Sequence, residues 1–565
     1  MAPVSLAVIG AGQRGTGYAR WARRHPDRAS VVAVAEPRQV RRARFAAEHG
    51  IGAGNAVADW RQLADRGRLA DAVLICTQDR LHAEPAEAFA ALGYHILLEK
   101  PMAPDEAACR RIVAATEEAG VMLAVGHVMR YTPYTRAVKE IVEGGQLGDI
   151  MSVQHLEPVG FWHQAHAYVR GNWRRADLAA SMLMAKSCHD LDWLQYILGR
   201  APLRVSSFGR LTHFTAANRP AGAADRCVDC SVEASCPYSA PRLYRDLLER
   251  GEHRWPLSVV IEDFSPGALD EALRHGPYGR CVYACDNDVV DHQVVALEFP
   301  GATAATFTMT AFTKPARRST RLFGTRAELA GDGETIRVYD FLTRAERLIT
   351  TAPAGAMNAA EGHGGGDAGL MDAFTGAVAT GHPELIMSGP RESLASHLSV
   401  FAAERARLNG TVETIPPYAG LDPERTAVTA PGTARRPPVQ DAMASPMRCT
   451  RRALVRPGAP GGLPATITAS RATSRPPPPA PGSARDWTSR GRGCTRSSLD
   501  GSWPAPSPVA WWRPPQDGRP VLRQRKPGPV RDNHLDHPAQ IVMAVFPRAC
   551  PAASWRMAWG TSASG

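Results

Sequence analysis

The 565-residue chain has no run of about 18 consecutive apolar residues, which excludes a helical membrane span. It does not open like an export signal either. "MAPVSLAVIGAG" runs straight into a strand-like pattern, with no basic segment ahead of an apolar stretch and a small-residue cleavage site. The expectation is a cytoplasmic protein whose thiols stay reduced. A surplus of one charge sign is also missing from most of the chain. From Leu421 onward 21 basic residues face 8 acidic ones, so the whole formal surplus of +11 belongs to that stretch. The first 420 residues are close to neutral and give no electrostatic reason to expect nucleic acid. The last 145 residues hold a single lysine among those 21 cations, carry 24 of the 46 prolines, and show little periodicity. Residues 421–565 are therefore expected to be a disordered Pro/Arg-rich tail. Their Arg/Pro/Ser/Trp bias resembles GC-rich DNA read out of frame.

What remains is too long for one core. The first hundred residues alternate strand and helix: "VSLAVIG", "SVVAVAEP", "DAVLICT" and "HILLEKP" read as strands, with helical segments between them. Such βαβ alternation predicts a doubly wound parallel sheet over residues 1–125. From 126 to about 420 the pattern turns to a few helices and alternating strands such as "VVDHQVVALEF" and "ATAATFTMTAF". That predicts an α+β domain with an open, mostly antiparallel sheet. Residues 214–287 interrupt it as an insertion that carries five of the eleven cysteines.

"VIGAGQRG" places Gly10, Gly12 and Gly15 in a G-x-G-x-x-G that ends the first strand and opens a helix. Gly10 permits the turn, Gly12 lets backbone approach a pyrophosphate, and Gly15 allows close helix–strand contact. The helix N-terminus then faces the phosphates. Glu36 closes the second strand, as a dinucleotide fingerprint requires. Its carboxylate suits ribose hydroxyls and repels a 2′-phosphate, which favours NAD; Arg38, Arg41 and Arg42 nearby would instead hold that phosphate, which leaves NADP open.

On these segments the chain resembles the glucose–fructose oxidoreductase/inositol dehydrogenase/MocA (Gfo/Idh/MocA) family. The resemblance rests on "VIGAGQRG", "ICTQDRLHAEPAEAFAALGYHILLEKPMA", "VGHVMRYTPYTRAVKEIVEGGQLGDIMSVQ" and the helix with His189. It implies hydride transfer between nicotinamide and a hydroxyl-bearing carbon of a sugar, cyclitol or related polyol, in a homo-oligomer built through the second sheet. Lys100 takes the place of the family's catalytic lysine, and His189 that of its second-motif histidine. Gln13, Arg14, Thr77, Gln78, His82, Glu99 and Lys100 join the cofactor's neighbours by the same resemblance. Arg130, Tyr131 and Arg174 join His189 around the substrate, with interdomain salt bridges the alternative for the two arginines. The family's aspartate four residues before the histidine is absent, since Ala185 stands there. Lys186, three before His189, is the candidate substitute. Two rival functions stay open: a bound NAD that drives redox-neutral elimination or glycoside cleavage, and a non-catalytic nucleotide-binding sensor or assembly subunit. "EGHGGGDAGLMDAF" invites a phosphate-loop reading, but a loop ended by Asp367 as a helix N-cap is simpler.

In the insertion, Cys227, Cys230 and Cys236 form C-x₂-C-x₅-C, and Cys281 and Cys285 follow. Three of these thiolates with Cys285 as fourth ligand predict a closed structural zinc site, with an iron–sulfur cluster second and free thiols the bland alternative. Cys188, beside His189, reads as a packed residue rather than a nucleophile.

Overall fold

The computed structural model describes residues 2–351 and 363–416; the expectations for 421–565 lie outside these residues. Six short apolar runs form a parallel sheet: β1 (Val4–Ile9), β2 (Ala29–Ala35), β3 (Ala56–Val57), β4 (Ala72–Ile75), β5 (His95–Leu98) and β6 (Leu123–Val125). Its order is β3-β2-β1-β4-β5-β6. Helices α1 (Gln13–Arg24), α2 (Gln39–His49), α3 (Arg61–Ala64), α4 (Ala83–Ala91) and α5 (Glu106–Glu118) cross between them. Covered on both faces, the central strands are buried nearly residue by residue, which is why they read as continuous apolar runs rather than alternating ones. The order reverses between β1 and β4, and a ligand crevice forms outside the carboxyl ends of the strands at such a point. The two-residue β3 has no periodicity to betray it, so the strand that ends in "EKP" is fifth in sequence rather than fourth.

The chain then runs through α6 (Pro133–Glu143), β7 (Ile150–Pro158) and α7 (Phe161–His163), which continues as a π-helical stretch, Gln164–Arg170. Next comes α8 (Met182–Leu198), capped by Ser181 and stopped by Gly199 at φ +66°. Strand β8 (Arg204–Arg210) precedes the insertion, whose helices are α9 (Ala240–Glu249) and α10 (Pro266–His275). Strands β9 (His292–Glu298), β10 (Ala304–Thr310), β11 (Ser319–Gly324), β12 (Ala327–Gly331), β13 (Thr335–Asp340) and β14 (Glu346–Thr350) follow, then α11 (Gly366–Thr380), α12 (Pro390–Asn409) and β15 (Val412–Thr414). The second sheet has nine strands in the order β14-β13-β12-β11-β7-β10-β9-β8-β15. Only β7 and β10 pair in parallel. It is thus the open, mostly antiparallel sheet expected, with β12, β14 and β15 added. "ERLIT" of β14 is exposed almost throughout and offers no buried face to read.

Val138, Leu183, Leu194 and Val400 cover one face of this sheet against Val295, Phe307 and Leu322. The last two long helices return to the first domain. Leu370, Met371 and Phe374 of α11 share a cluster with Val8, Tyr18 and Val34. Leu394 and Leu398 of α12 join Ile96, Leu98 and Ile112. The insertion has an apolar cluster of its own around Tyr244, Leu257, Leu269 and Leu273. Among the described residues no helix is long and apolar enough to cross a membrane.

Candidate active site

At the end of β1, Gly10 takes φ +95°, and a Cβ there would come 2.6 Å from the Cys76 carbonyl oxygen. A Cβ on Gly15 would come 2.1 Å from the Gly10 carbonyl oxygen. A Cβ on Gly12 would meet nothing within 4 Å, and no side chain caps α1. The turn is therefore packed tightly at its first and third glycines and open at the second, which leaves the N–H groups at the start of α1 free for phosphate oxygens. Glu36, buried at the end of β2, accepts the Ala11 N–H at 3.0 Å and the Arg38 Nε–H at 2.7 Å. Burial works to raise its pKa, but the bonds from Arg38 and Ala11 prevail and hold it below the usual carboxylate value. These residues fit a dinucleotide, with Gly12 at the pyrophosphate and Glu36 at the ribose.

The geometry makes Gly12→Val a clean test. Its φ of −73° is ordinary and its surroundings are empty, so the fold should be unaffected. Each hydrogen bond to a charged phosphate contributes about 1.5–3 kcal/mol, so dinucleotide affinity should fall on the order of ten- to a hundredfold. Calorimetric titration measures it, and unchanged affinity would remove the pyrophosphate from this turn.

Several residues assigned to the cofactor have other partners. The Arg14 side chain donates to Glu99 at 2.7 Å, to Asp367 at 2.8 and 2.9 Å and to the Tyr18 hydroxyl at 2.6 Å. This network, partly exposed at Arg14 and Asp367, ties α1 to the "EKP" turn and to α11. Asp367 is correspondingly not the N-cap, which is Gly365. His82 is fully buried, with Nδ1 2.8 Å from the Pro101 carbonyl oxygen and Nε2 3.3 Å from that of Thr77. These contacts tie it to the Lys100-Pro101 turn and to the segment after β4. Thr77 donates to the Leu81 carbonyl at 3.1 Å, and Gln78 is exposed.

Helix α8 brings the two halves together. Its residues 185, 189 and 192 form one stripe, at the spacing that shares a helical face. Lys100 Nζ donates to the Ala185 carbonyl at 2.7 Å. The His189 ring lies edge-on to His127 at 5.8 Å and 6.4 Å from His363. Among the described residues the buried His189 Nδ1 has no hydrogen-bond partner. Burial, then the charge of Lys100, pushes the His189 pKa well below 6.5, so its imidazole is neutral. A second stripe faces β7. Lys186 pairs with Glu157 at 3.1 Å, Arg318 with Glu157 at 3.0 Å, and Asp190 with Arg318 at 2.5 Å and His155 at 3.0 Å. Lys186 and Asp190 of this otherwise apolar helix are thus engaged, and His189 is the exception. Cys188 is enclosed, its thiol pushed up to about 12 by burial.

The arginines and tyrosine expected around the substrate have protein partners. Arg130, 3% exposed, forms a two-pronged pair with Asp192 at 2.8 and 2.7 Å and donates to the Met387 carbonyl at 2.5 Å. The Tyr131 hydroxyl meets Ser388 inside the first domain's core. Arg174 pairs with Asp286 at 2.9 Å. The cysteine site also needs correction. Cys227, Cys230, Cys236 and Cys281 line one cavity of about 170 Å³, while Cys285 turns its thiol to the Cys281 carbonyl. Among the described residues no three His, Cys, Asp or Glu side chains sit close enough to hold a metal ion.

Residues missed in sequence are mostly histidines. His127 follows β6 and His363 precedes α11. Among the described residues neither His127 ring nitrogen has a hydrogen-bond partner, and burial pushes its pKa down to about 3. Its place at the carboxyl end of a parallel strand was the available signal; His363 is brought in only by the return of α11.

Two family models match, an "Oxidoreductase family, NAD-binding Rossmann fold" over residues 4–127 and an "Oxidoreductase family, C-terminal alpha/beta domain" over 139–349, together more than half of the chain. A 2,7-anhydro-N-acetylneuraminate hydratase of Escherichia coli is 27% identical over 214 residues, 36% of this chain and 52% of that protein. An inositol 2-dehydrogenase of Rhizobium meliloti is 26% identical over 215 residues, 36% of this chain and 58% of that protein. The match thus spans little more than half the length of these relatives. Levoglucosan dehydrogenase, solved with NADH and L-sorbose, superposes with a TM-score of 0.54 at 19% identity, over 74% of this chain and all of that one, a likeness of fold. With its glycine turn, its "EKP" strand end and both domain models matched, the chain belongs to the Gfo/Idh/MocA oxidoreductase family.

Proposed function

We propose that the protein is a cytoplasmic NAD(P)-dependent oxidoreductase moving a hydride between nicotinamide and a hydroxyl-bearing carbon of a sugar, cyclitol or related polyol. Lys100 and His189 are its acid/base pair. The observation that carries this reading is the meeting of the Lys100 ammonium, from the crevice, with α8 one turn before a neutral, unpartnered His189. When bound, the nicotinamide supplies the hydride acceptor or donor. The remaining task is proton movement. A carbinol carbon gives up hydride readily only as its oxygen gains alkoxide character, so the hydroxyl proton must move as the C–H bond breaks. Neutral His189 is able to take that proton. The Lys100 ammonium offers a donor to the developing oxyanion, and a proton in the reverse direction. Lys186 contributes charge from behind, held by Glu157. The inositol 2-dehydrogenase relative supports the substrate class. The exposed face of the second sheet, where Phe208 lies opposite Val294 with Val412 nearby, supports a homo-oligomer.

Full-length protein with NAD or NADP and a panel of sugars and cyclitols tests the activity by the near-ultraviolet absorbance of reduced nicotinamide. Turnover is expected. Silence with dinucleotide bound would favour the redox-neutral reading, which the name of the hydratase relative supports. The pH profile is a further expectation. Because the His189 pKa is depressed in the fold, the base is already neutral at pH 6.5, and the acid limb of kcat/KM should lie well below that pH. An acid limb at or above 6.5 would assign the base to another group.

A further inference from the structure

The insertion reaches the first turn of α2, the helix that follows Glu36. Glu262, between Val260 and α10, accepts the Arg41 Nε–H at 2.5 Å. Arg41 lies in the first turn of α2, its side chain 15% exposed, against 41% for Glu262. Three arginines follow Glu36 within six residues, and each has a partner. Arg38 donates to the Glu36 carboxylate at 2.7 and 3.4 Å. Arg42 donates to the carbonyls of Glu36 and Pro37 at 2.6 and 3.2 Å. Arg41 alone of the three takes its partner from the insertion.

From this arrangement we infer that Glu262 sets the dinucleotide preference, an inference that rests on the crevice holding NAD or NADP. A 2′-phosphate needs a cation with free N–H groups beside the ribose, and a guanidinium supplies two parallel ones. Arg38 and Arg42 are turned onto the Glu36 carboxylate and its backbone, where they hold the ribose-binding turn. Arg41 is the cation best able to leave its partner for a phosphate, because that partner is half-exposed and belongs to another lobe. Glu262 blocks this twice. It engages the guanidinium, and it adds a negative charge beside a ligand group that is itself dianionic. The pair contributes little to stability at this exposure, and the insertion has its own core, so the carboxylate can be altered without unseating the lobe.

The experiment is calorimetric titration of full-length wild type, Glu262→Gln and Glu262→Gln/Arg41→Met with NAD and with NADP separately. Wild type should prefer NAD. Glu262→Gln should raise NADP affinity relative to NAD by about tenfold, the scale of one charge-assisted bond to phosphate, and adding Arg41→Met should abolish the gain. A ratio unchanged within about twofold in Glu262→Gln, or a gain that survives in the double variant, overturns the inference. If wild type binds neither nucleotide, the dinucleotide reading itself fails, and that result is distinct from an unchanged ratio.

Discussion

Lys100→Met is expected to lower kcat by about 10²–10⁴, the usual contribution of a positioned acid or base, while leaving NAD affinity close to wild type. Methionine keeps the length and apolar stem of lysine and deletes only the ammonium. Among the described residues that group's one hydrogen-bond partner is the Ala185 carbonyl, which a helix interior already engages, so nothing buried is orphaned. Glu99 keeps Arg14 and Tyr18, and the turn at Gly10 is untouched. The loss should therefore fall on the chemical step. A second readout separates this from a structural effect. Lys100 is one of the charges that depress the His189 pKa, after burial, so its removal should let that pKa rise. The acid limb of residual activity should then move to higher pH. Retention of more than a third of turnover would remove Lys100 from the chemistry.

The glycine turn, Glu36 and the "EKP" strand end were legible because backbone geometry demands them at fixed spacing from a strand. The roles of Arg14, Arg130 and Tyr131 were not. Nothing local distinguishes an arginine that faces a sugar from one that faces a carboxylate contributed 62 or 353 residues away, as with Asp192 and Asp367. The same holds for the lysine and aspartates of α8. Each is answered by a group on β7, on β6's exit or on the segment before β11, and those partners emerge only when both sheets are in place. The missing aspartate at Ala185 reads differently as well. The position contributes its carbonyl to Lys100, which any residue there would supply.

Asp192→Ala should destabilise the protein by about 3–5 kcal/mol, the range for breaking a buried ion pair by removing one partner. Arg130 keeps only the Met387 carbonyl and the face of Tyr196, 4.8 Å from its guanidinium, and a buried cation without its counter-ion must draw in water or shift. His127, with Nε2 3.7 Å from Asp192, cannot take up the role, since an imidazole is neutral or cationic and offers a guanidinium no counter-charge. The pH dependence has a definite sign. Burial works to raise the Asp192 pKa, but Arg130 outweighs it and holds the carboxyl below its ordinary value. The pair's contribution is therefore complete above the unfolded pKa of about 3.9 and is lost as pH falls through the lower folded value. Wild-type stability should drop across that acid window, and the alanine variant should lack that component. Denaturant midpoints at pH 7 measure the main effect, and Arg130→Met/Asp192→Leu should recover most of the loss, because an apolar pair of similar volume removes both desolvated charges. A loss under about 1 kcal/mol would mean that Arg130 reaches solvent in the crevice, restoring it as a substrate ligand. The expected large loss instead makes this pair the clamp that seats α8 on the end of β6, and so fixes His189, three residues earlier, against Lys100.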